Sequence, residues 1–310
     1  MAPAASYGLP PRKFSSLLGN VDTATAILDA ARREALLGLL DDPSPQVRHG
    51  LIAYFSELGA AAAPFLREIA HGRNRVLAQH AAWYLDELKF SDPVAEFRGF
   101  VRSLNYELET GALLLARTVN PHLDIGRCVN ALDAIAARCR ELIAEPSSLR
   151  DKCRLLNRVL FHEWGFRGNA EHYTDPRNSL LDQVLVRRKG SPVALSIIYL
   201  LVARRLELDL EAVGVPGHFF VGGFGEGEPF FIDCYEQGIL RDGAEVFALL
   251  RARQISPQSG DLAPMPVREV LCRNCKSLAS HYTAGGDTER AKLFSSFVEE
   301  FEAAYSRHAT

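Results

Sequence analysis

Apolar residues early in the chain recur at three- and four-residue spacing, the signature of helices with one buried face. Leu51, Tyr54, Phe55 and Leu58 fall on one such face. The spacing returns 30 residues later at Ala81, Tyr84, Leu85 and Leu88. The stretches end alike, Tyr54-Phe55-Ser56-Glu57-Leu58 against Tyr84-Leu85-Asp86-Glu87-Leu88, so the pattern predicts a repeated helical unit. Between the copies Gly59 stops one helix and Pro64 sits in the first turn of the next. Two copies are fewer than the roughly three that a free solenoid needs. The helix expected around residues 24–40, or the domain that follows, must cover the open ends.

From residue 93 to about 164 the pattern stays helical, with turns at Asn120-Pro121 and Glu145-Pro146. The grammar then changes. Gly165-Phe166-Arg167-Gly168-Asn169 and Asp175-Pro176-Arg177-Asn178-Ser179 read as loops, and residues 180–187 as a short helix. A helix opening after Gly190 is apolar on nearly every face over residues 193–203, which predicts burial at the centre of a domain. Residues 210–215, 218–224 and 229–235 read as strands. Residues 267–305 return to two amphipathic helices broken at Gly285-Gly286. The expected fold is α+β and mostly helical, a central buried helix packed on a small antiparallel sheet.

Composition narrows the class. Across 310 residues, 47% hydrophobic and 24% charged content is ordinary for a soluble globular chain. Lys+Arg 35 against Asp+Glu 38 leaves a net charge of -3, which favours neither nucleic acid nor an acidic membrane as partner. No apolar run approaches the ~18 residues of a membrane span. Residues 1–20 are small, polar and Pro-containing; they do not read as a secretory signal and are expected to be disordered. Six scattered cysteines fit reduced thiols, so the expected location is cytoplasmic.

The strands flanking Gly225 bring candidate chemistry together. With the turn centred between Gly225 and Glu226, His218 falls opposite Asp233, Phe220 opposite Phe231 and Gly222 opposite Pro229. Opposed residues have Cβ atoms about 4.5–5.5 Å apart, close enough for a carboxylate to hold one imidazole nitrogen. Spacing alone fits better two solvated strand ends. Other signals lead to bland readings. Cys272-x-x-Cys275 with His281 lies in an amphipathic helix with no second matching pair, so core packing is favoured over zinc. His162-Glu163 lacks the second histidine of a zinc-protease motif. The glycine-rich run from Gly222 to Gly227 joins strand to strand and reads as a hairpin loop. No metal or cofactor is expected.

A resemblance gathers these residues. Leu156-Asn157-x-Val-Leu160-Phe161, Gly165-Phe166-Arg167-Gly168-Asn169, Asp175-Pro176-Arg177-Asn178-Ser179, Arg187-Arg188-x-Gly190-x-Pro192, Ala203-Arg204-Arg205-Leu206, Pro216-Gly217-His218-Phe219 and Phe231-Ile232-Asp233 follow in order the motifs of SirB-type proteins. That family belongs to the transglutaminase-like superfamily. The 30-residue repeat resembles HEAT repeats, and Asn274-Cys275-Lys276 with Gly285-Gly286-Asp287 resembles a tetratricopeptide-type hairpin. The resemblance implies four parts: a disordered start at 1–20, HEAT-like helices at 21–91, a degenerate papain/transglutaminase-like domain at 92–262 and a helical hairpin at 263–310.

In the superfamily a cysteine heads the central helix, where the helix dipole favours thiolate, and a histidine and an aspartate follow on neighbouring strands. His218 and Asp233 match the second and third members; Ser191-Pro192-Val193-Ala194 stands where the first belongs. Ser191 reads better as an N-cap ahead of Pro192 than as a substitute nucleophile. The resemblance also places Arg177, Asn178 and Ser179 near the His218 edge, and with Tyr173 and Ser191 they are the expected substrate- or peptide-binding residues. There the polar groups of 177–179 either line a cleft or satisfy loop backbone. The implied function is a non-catalytic module that binds a protein or peptide. The rival is an acyl-transfer or amide-hydrolysing enzyme using His218 and Asp233 with Ser191 or an activated water.

Overall fold

The computed structural model describes residues 30–306, apart from positions 43, 71, 73, 89, 91, 122 and 226. Residues 1–20, expected to be disordered, lie outside the described residues. The chain divides into two compact units after Asp92.

The first unit contains α1 (Ala30–Leu40), α2 (Pro45–Leu58), α3 (Ala63–Ala70) and α4 (Arg75–Glu87). Each boundary has a local cause. Pro45 opens α2 after Ser44, and Gly59, at φ 57°, closes it by donating its N–H to Phe55 O. The Asn74 side chain caps α4 by accepting from the N–H groups of Val76 and Leu77. Positions matched by the 30-residue offset share one core: Leu51, Tyr54, Phe55, Ala81 and Tyr84 are buried there, with Leu58, Leu85 and Leu88 half-buried around them. Phe55 meets Tyr84 edge to face, centroids 5.5 Å apart. Arg48 and Glu57 are exposed, the Arg48 guanidinium lying over the Trp83 ring.

The second unit opens with α5 (Pro93–Ser103), α6 (Leu108–Arg117), α7 (Ile125–Leu142) and α8 (Leu149–Asn157). The last runs directly into a π-helical turn, Arg158–Glu163. Then come β1 (Arg167–Gly168), a 3-10 turn (Pro176–Ser179), α9 (Leu181–Arg187), β2 (Lys189–Gly190) and the central α10 (Pro192–Arg205). A four-stranded antiparallel sheet follows in the order β3 (Glu211–Val215), β4 (His218–Gly223), β5 (Phe230–Asp233), β6 (Ile239–Arg241). The chain continues through α11 (Gly243–Ala252), α12 (Val267–Ala284) and α13 (Thr288–Ser306).

α10 is buried from Pro192 through Ala203, as a sequence apolar at all but Ser196 and the Tyr199 hydroxyl requires. Strand alternation divides the sheet between two cores. Phe219, Val221, Phe230 and Ile232 join the main core with α10. Val213, Val215, Phe220 and Phe231 form a smaller one with Val246 and Leu250 of α11. The C-terminal helices are part of the main core rather than an appendage: Phe297 of α13 packs edge-on against Phe97 of α5 at 4.8 Å, and Tyr282 stacks on Phe294. Cys272 and Cys275 are buried in the same core. Among the described residues, no helix is long and apolar enough to cross a membrane.

The hairpin register corrects the sequence expectation. Val221 pairs with Ile232, Gly222 with Phe231 and Gly223 with Phe230, two residues away from the register expected with a turn at Gly225-Glu226. The six residues between Gly223 and Phe230 make a loop too long for a tight turn to fix the register. A two-residue slip preserves strand parity, so each side chain still faces the expected side.

Candidate functional site

His218 opens β4 and Asp233 closes β5. They stand on the α11 face, His218 two residues before Phe220 and Asp233 two after Phe231. The slipped register makes them diagonal rather than opposed, yet the imidazole spans the offset. His218 Nε2 lies 2.9 Å from both Asp233 oxygens. The pair is buried, with His218 at 4% and Asp233 at 0% exposure. Bonds around it fix both halves. The His218 carbonyl accepts from Arg273 Nη2 at 3.0 Å, and the ring packs edge-on to Phe220. Asp233 Oδ1 accepts from the Glu236 N–H at 3.2 Å, while Arg241 Nε stands 3.6 Å from Oδ2. Sequence reasoning missed Arg241, Glu236 and Arg273. β6, which carries Arg241, spans three residues, too few for any alternation to register.

A row of rings runs outward from the histidine. His218 faces Tyr235, Tyr235 faces Tyr173, and Tyr173 faces His281 of α12, with centroids 6.3, 6.3 and 5.8 Å apart. Tyr173 is 47% exposed. His281 is buried; burial lowers its pKa, and the charge of Asp175 only partly opposes this.

The remaining loop residues divide in two. Arg177 is exposed and ion-paired with Asp175, which Arg187 also contacts at 2.9 Å. Burial acts to raise the Asp175 carboxyl, but the two guanidiniums and the Arg177 N–H hold it below the ordinary carboxylate value. Asn178 and Ser179 are buried and face inward. Asn178 Nδ2 donates to the carbonyls of His172 and Tyr173, and its Oδ1 accepts from Asn169. The Ser179 carbonyl accepts from Asn274 of α12.

Ser191 heads α10. Its Oγ accepts the Ala194 N–H at 3.3 Å and also takes a hydrogen bond from Ser179 Oγ, and its own N–H donates to Asn178 O. Pro192 follows at the first helical position. Among the described residues, no hydrogen bond joins Ser191 to His218. All six cysteines are buried. Burial pushes the Cys128 and Cys153 thiols up to about 11 and Cys139 to about 12. It raises Cys234, Cys272 and Cys275 as well. Cys234, beside Asp233 in sequence, lies in the main core on the α10 side of the sheet. A thiol this buried is a small hydrophobe, not a nucleophile.

A buried helix headed by a capped turn, with a histidine–carboxylate pair on adjacent strands, is the framework of a cysteine acyl-transfer fold. Residues 127–276 match the transglutaminase-like superfamily. The chain belongs to the UPF0162 protein family within it. It is 34% identical over 190 residues to a UPF0162 protein of Xylella fastidiosa (strain 9a5c), covering 59% of this chain and 68% of that protein. A UPF0162 protein of Vibrio cholerae is 30% identical over 135 residues, 43% of this chain and 50% of that one. A 66-residue stretch is 41% identical to F-box only protein 21 of Homo sapiens, 21% of this chain and 10% of that protein. No solved structure matches the chain.

Proposed function

We propose that the chain is a SirB-type transglutaminase-like protein, acting in the cytoplasm, that recognises a protein or peptide and does not transfer acyl groups. The observation behind the reading is the head of α10. The position that needs an accessible thiolate holds Ser191, a buried hydroxyl engaged as a helix cap. No thiol among the described residues is accessible enough to replace it. His218–Asp233 is then a general-base pair with nothing to activate.

In this reading Tyr173 and Arg177, the exposed members of the loop, touch the partner, while Asn178, Ser179 and Ser191 hold the loop in shape. The 45–58 and 75–87 helices act as a HEAT-like pair and α12–α13 as a tetratricopeptide-like hairpin, elements suited to presenting extended binding surfaces. Nucleic acid and membrane are not the partners, and no metal or cofactor is involved.

One observation favours the rival enzyme. The carboxylate engages Nε2 alone, leaving Nδ1 outside the pair, as a working base requires. An acyl-transfer or amide-hydrolysing reaction would then use Ser191 or an activated water. The test is to treat the intact chain with a thiol-directed iodoacetamide probe and a serine-directed fluorophosphonate, alongside His218→Ala. The expected result is no labelling that depends on His218. A His218-dependent adduct on Ser191 or any cysteine overturns the binding-module reading.

A further inference from the structure

Between the end of α8 with its π turn and the connection from β5 to β6 lies an open cleft of about 550 Å³. One wall carries Arg154, Arg158 and His162, spaced four apart. In a continuous α-helix such residues drift steadily around the axis. Here the backbone widens to a π turn from Arg158, where the Trp164 N–H reaches Val159 O, and the drift runs back the other way. The three side chains therefore line one groove. π turns of this kind are often found at functional sites.

The floor is Asn157, only 8% exposed. Its Nδ2 donates to Gly238 O at 2.6 Å, and its Oδ1 has no hydrogen-bond partner among the described residues. Glycine makes this contact possible. Gly238 sits at φ 82°, and a Cβ there would lie 2.5 Å from Asn157 Cγ and 2.7 Å from the Phe161 ring. The opposite wall offers Glu236, Gln237 and Ile239, the last 47% exposed. That wall hangs from the pair described above, because Asp233 accepts the Glu236 N–H through Oδ1 and the Gly238 N–H through its carbonyl.

These groups specify a chemistry. Arg154 and Arg158 are each about 60% exposed and, among the described residues, are held by surface ion pairs to Asp151 and Glu163, which release guanidinium donors at little cost. Glu236 repels an anion from the other wall, so negative charge belongs on the α8 side. Ile239 calls for an apolar contact. We infer that this cleft binds an acidic peptide segment, with its carboxylates on Arg154 and Arg158 and an apolar side chain over Ile239. The inference rests on the peptide-recognition reading for its class of ligand, but its site is separate from Tyr173 and Arg177.

The test uses the full ¹⁵N-labelled chain and the probe peptide acetyl-Glu-Glu-Leu-Glu-Glu-amide, with acetyl-Gln-Gln-Leu-Gln-Gln-amide and inorganic phosphate as the other arms. Saturable binding of the acidic probe is expected, moving the Asn157 side-chain amide and the Glu236 and Gly238 backbone signals. Arg154→Glu with Arg158→Glu, both exposed and checked for an unchanged melting transition, should weaken binding at least about tenfold, as should the neutral peptide. Binding that survives the charge reversal and moves Tyr173 and Arg177 instead overturns the cleft while leaving peptide recognition standing. Arg-dependent signals with phosphate but not with the peptide overturn the peptide assignment. No binding of any probe overturns the inference alone, because the binding-module reading is judged by the covalent probes at Ser191 and the cysteines.

Discussion

Replacing Ser191 with alanine separates a cap from a nucleophile. The hydroxyl accepts the Ala194 N–H and a hydrogen bond from Ser179, in a site only 4% exposed to water. Loss of an N-cap serine costs about 1 kcal/mol, within a range of roughly 0.5–2. Burial puts this site in the upper half of that range, because no water replaces the lost acceptor and Ser179 must turn its own hydroxyl elsewhere. A loss of about 1–2 kcal/mol is therefore expected, at about 2–4 °C of melting temperature per kcal/mol for a unit of this size. Trp164 reports the second unit and Trp83 the first, so a Trp83→Phe background makes fluorescence specific for the unit that holds α10. Thermal and urea unfolding of Ser191→Ala in that background read the loss directly. An unchanged transition would refute the cap, and with it the main argument against a serine nucleophile.

Three further outcomes follow from the packing. Phe297→Ala removes the ring between Phe97 and Phe294 and should cost about 3–5 kcal/mol by urea unfolding. An unmoved Trp164 transition would make α13 an independent appendage. Burial lowers the His281 pKa below its ordinary 6.5, so its contribution to stability is present above that value and lost as pH falls through the folded pKa. The melting temperature should accordingly fall less on acidification in His281→Gln than in the parent, and parallel pH profiles would show that His281 is not the group responsible. His218→Ala and Asp233→Ala should each cost about 3 kcal/mol or more, and the double variant clearly less than their sum. Additive losses would show that the two residues are not energetically coupled.

Sequence and structure agree where periodicity is strong. Residues 193–203 are apolar on nearly every face, and the structure buries them. Ser191-Pro192 marks the head of the same helix, because a side-chain oxygen followed by a residue without an N–H suits that junction. The hairpin shows a different limit. Alternation assigns faces correctly, placing His218 with Phe220 and Asp233 with Phe231, but register depends on loop geometry that the glycine-rich segment leaves open. β6 and the π turn carried no signal at all: one is too short, and the other shares its apolar spacing with an α-helix. α11 did carry one, the capping box Asp242–Glu245. The cleft beside the π turn was hidden because it joins Asn157 to Gly238 across 81 positions.

The histidine–aspartate pair does not by itself indicate catalysis, because the fold has its own need for it. Asp233 is fully buried, and besides His218 it holds the Glu236 N–H, the nearby Arg241 charge and, through its carbonyl, Gly238. It thereby sets the connection into β6 and one wall of the cleft. Removing either partner alone leaves a buried polar group without its complement, the costly half of the hydrogen-bond asymmetry. The head of α10 has no such lock. A serine there satisfies the helix N–H group, and nothing else in the site requires sulfur. A chain with this framework can therefore lack the nucleophile at little cost while its base–orienter pair stays in place. The discriminating position for chemistry is Ser191, because the buried hydrogen bonds of His218 and Asp233 give that pair a structural role whether or not the site is catalytic.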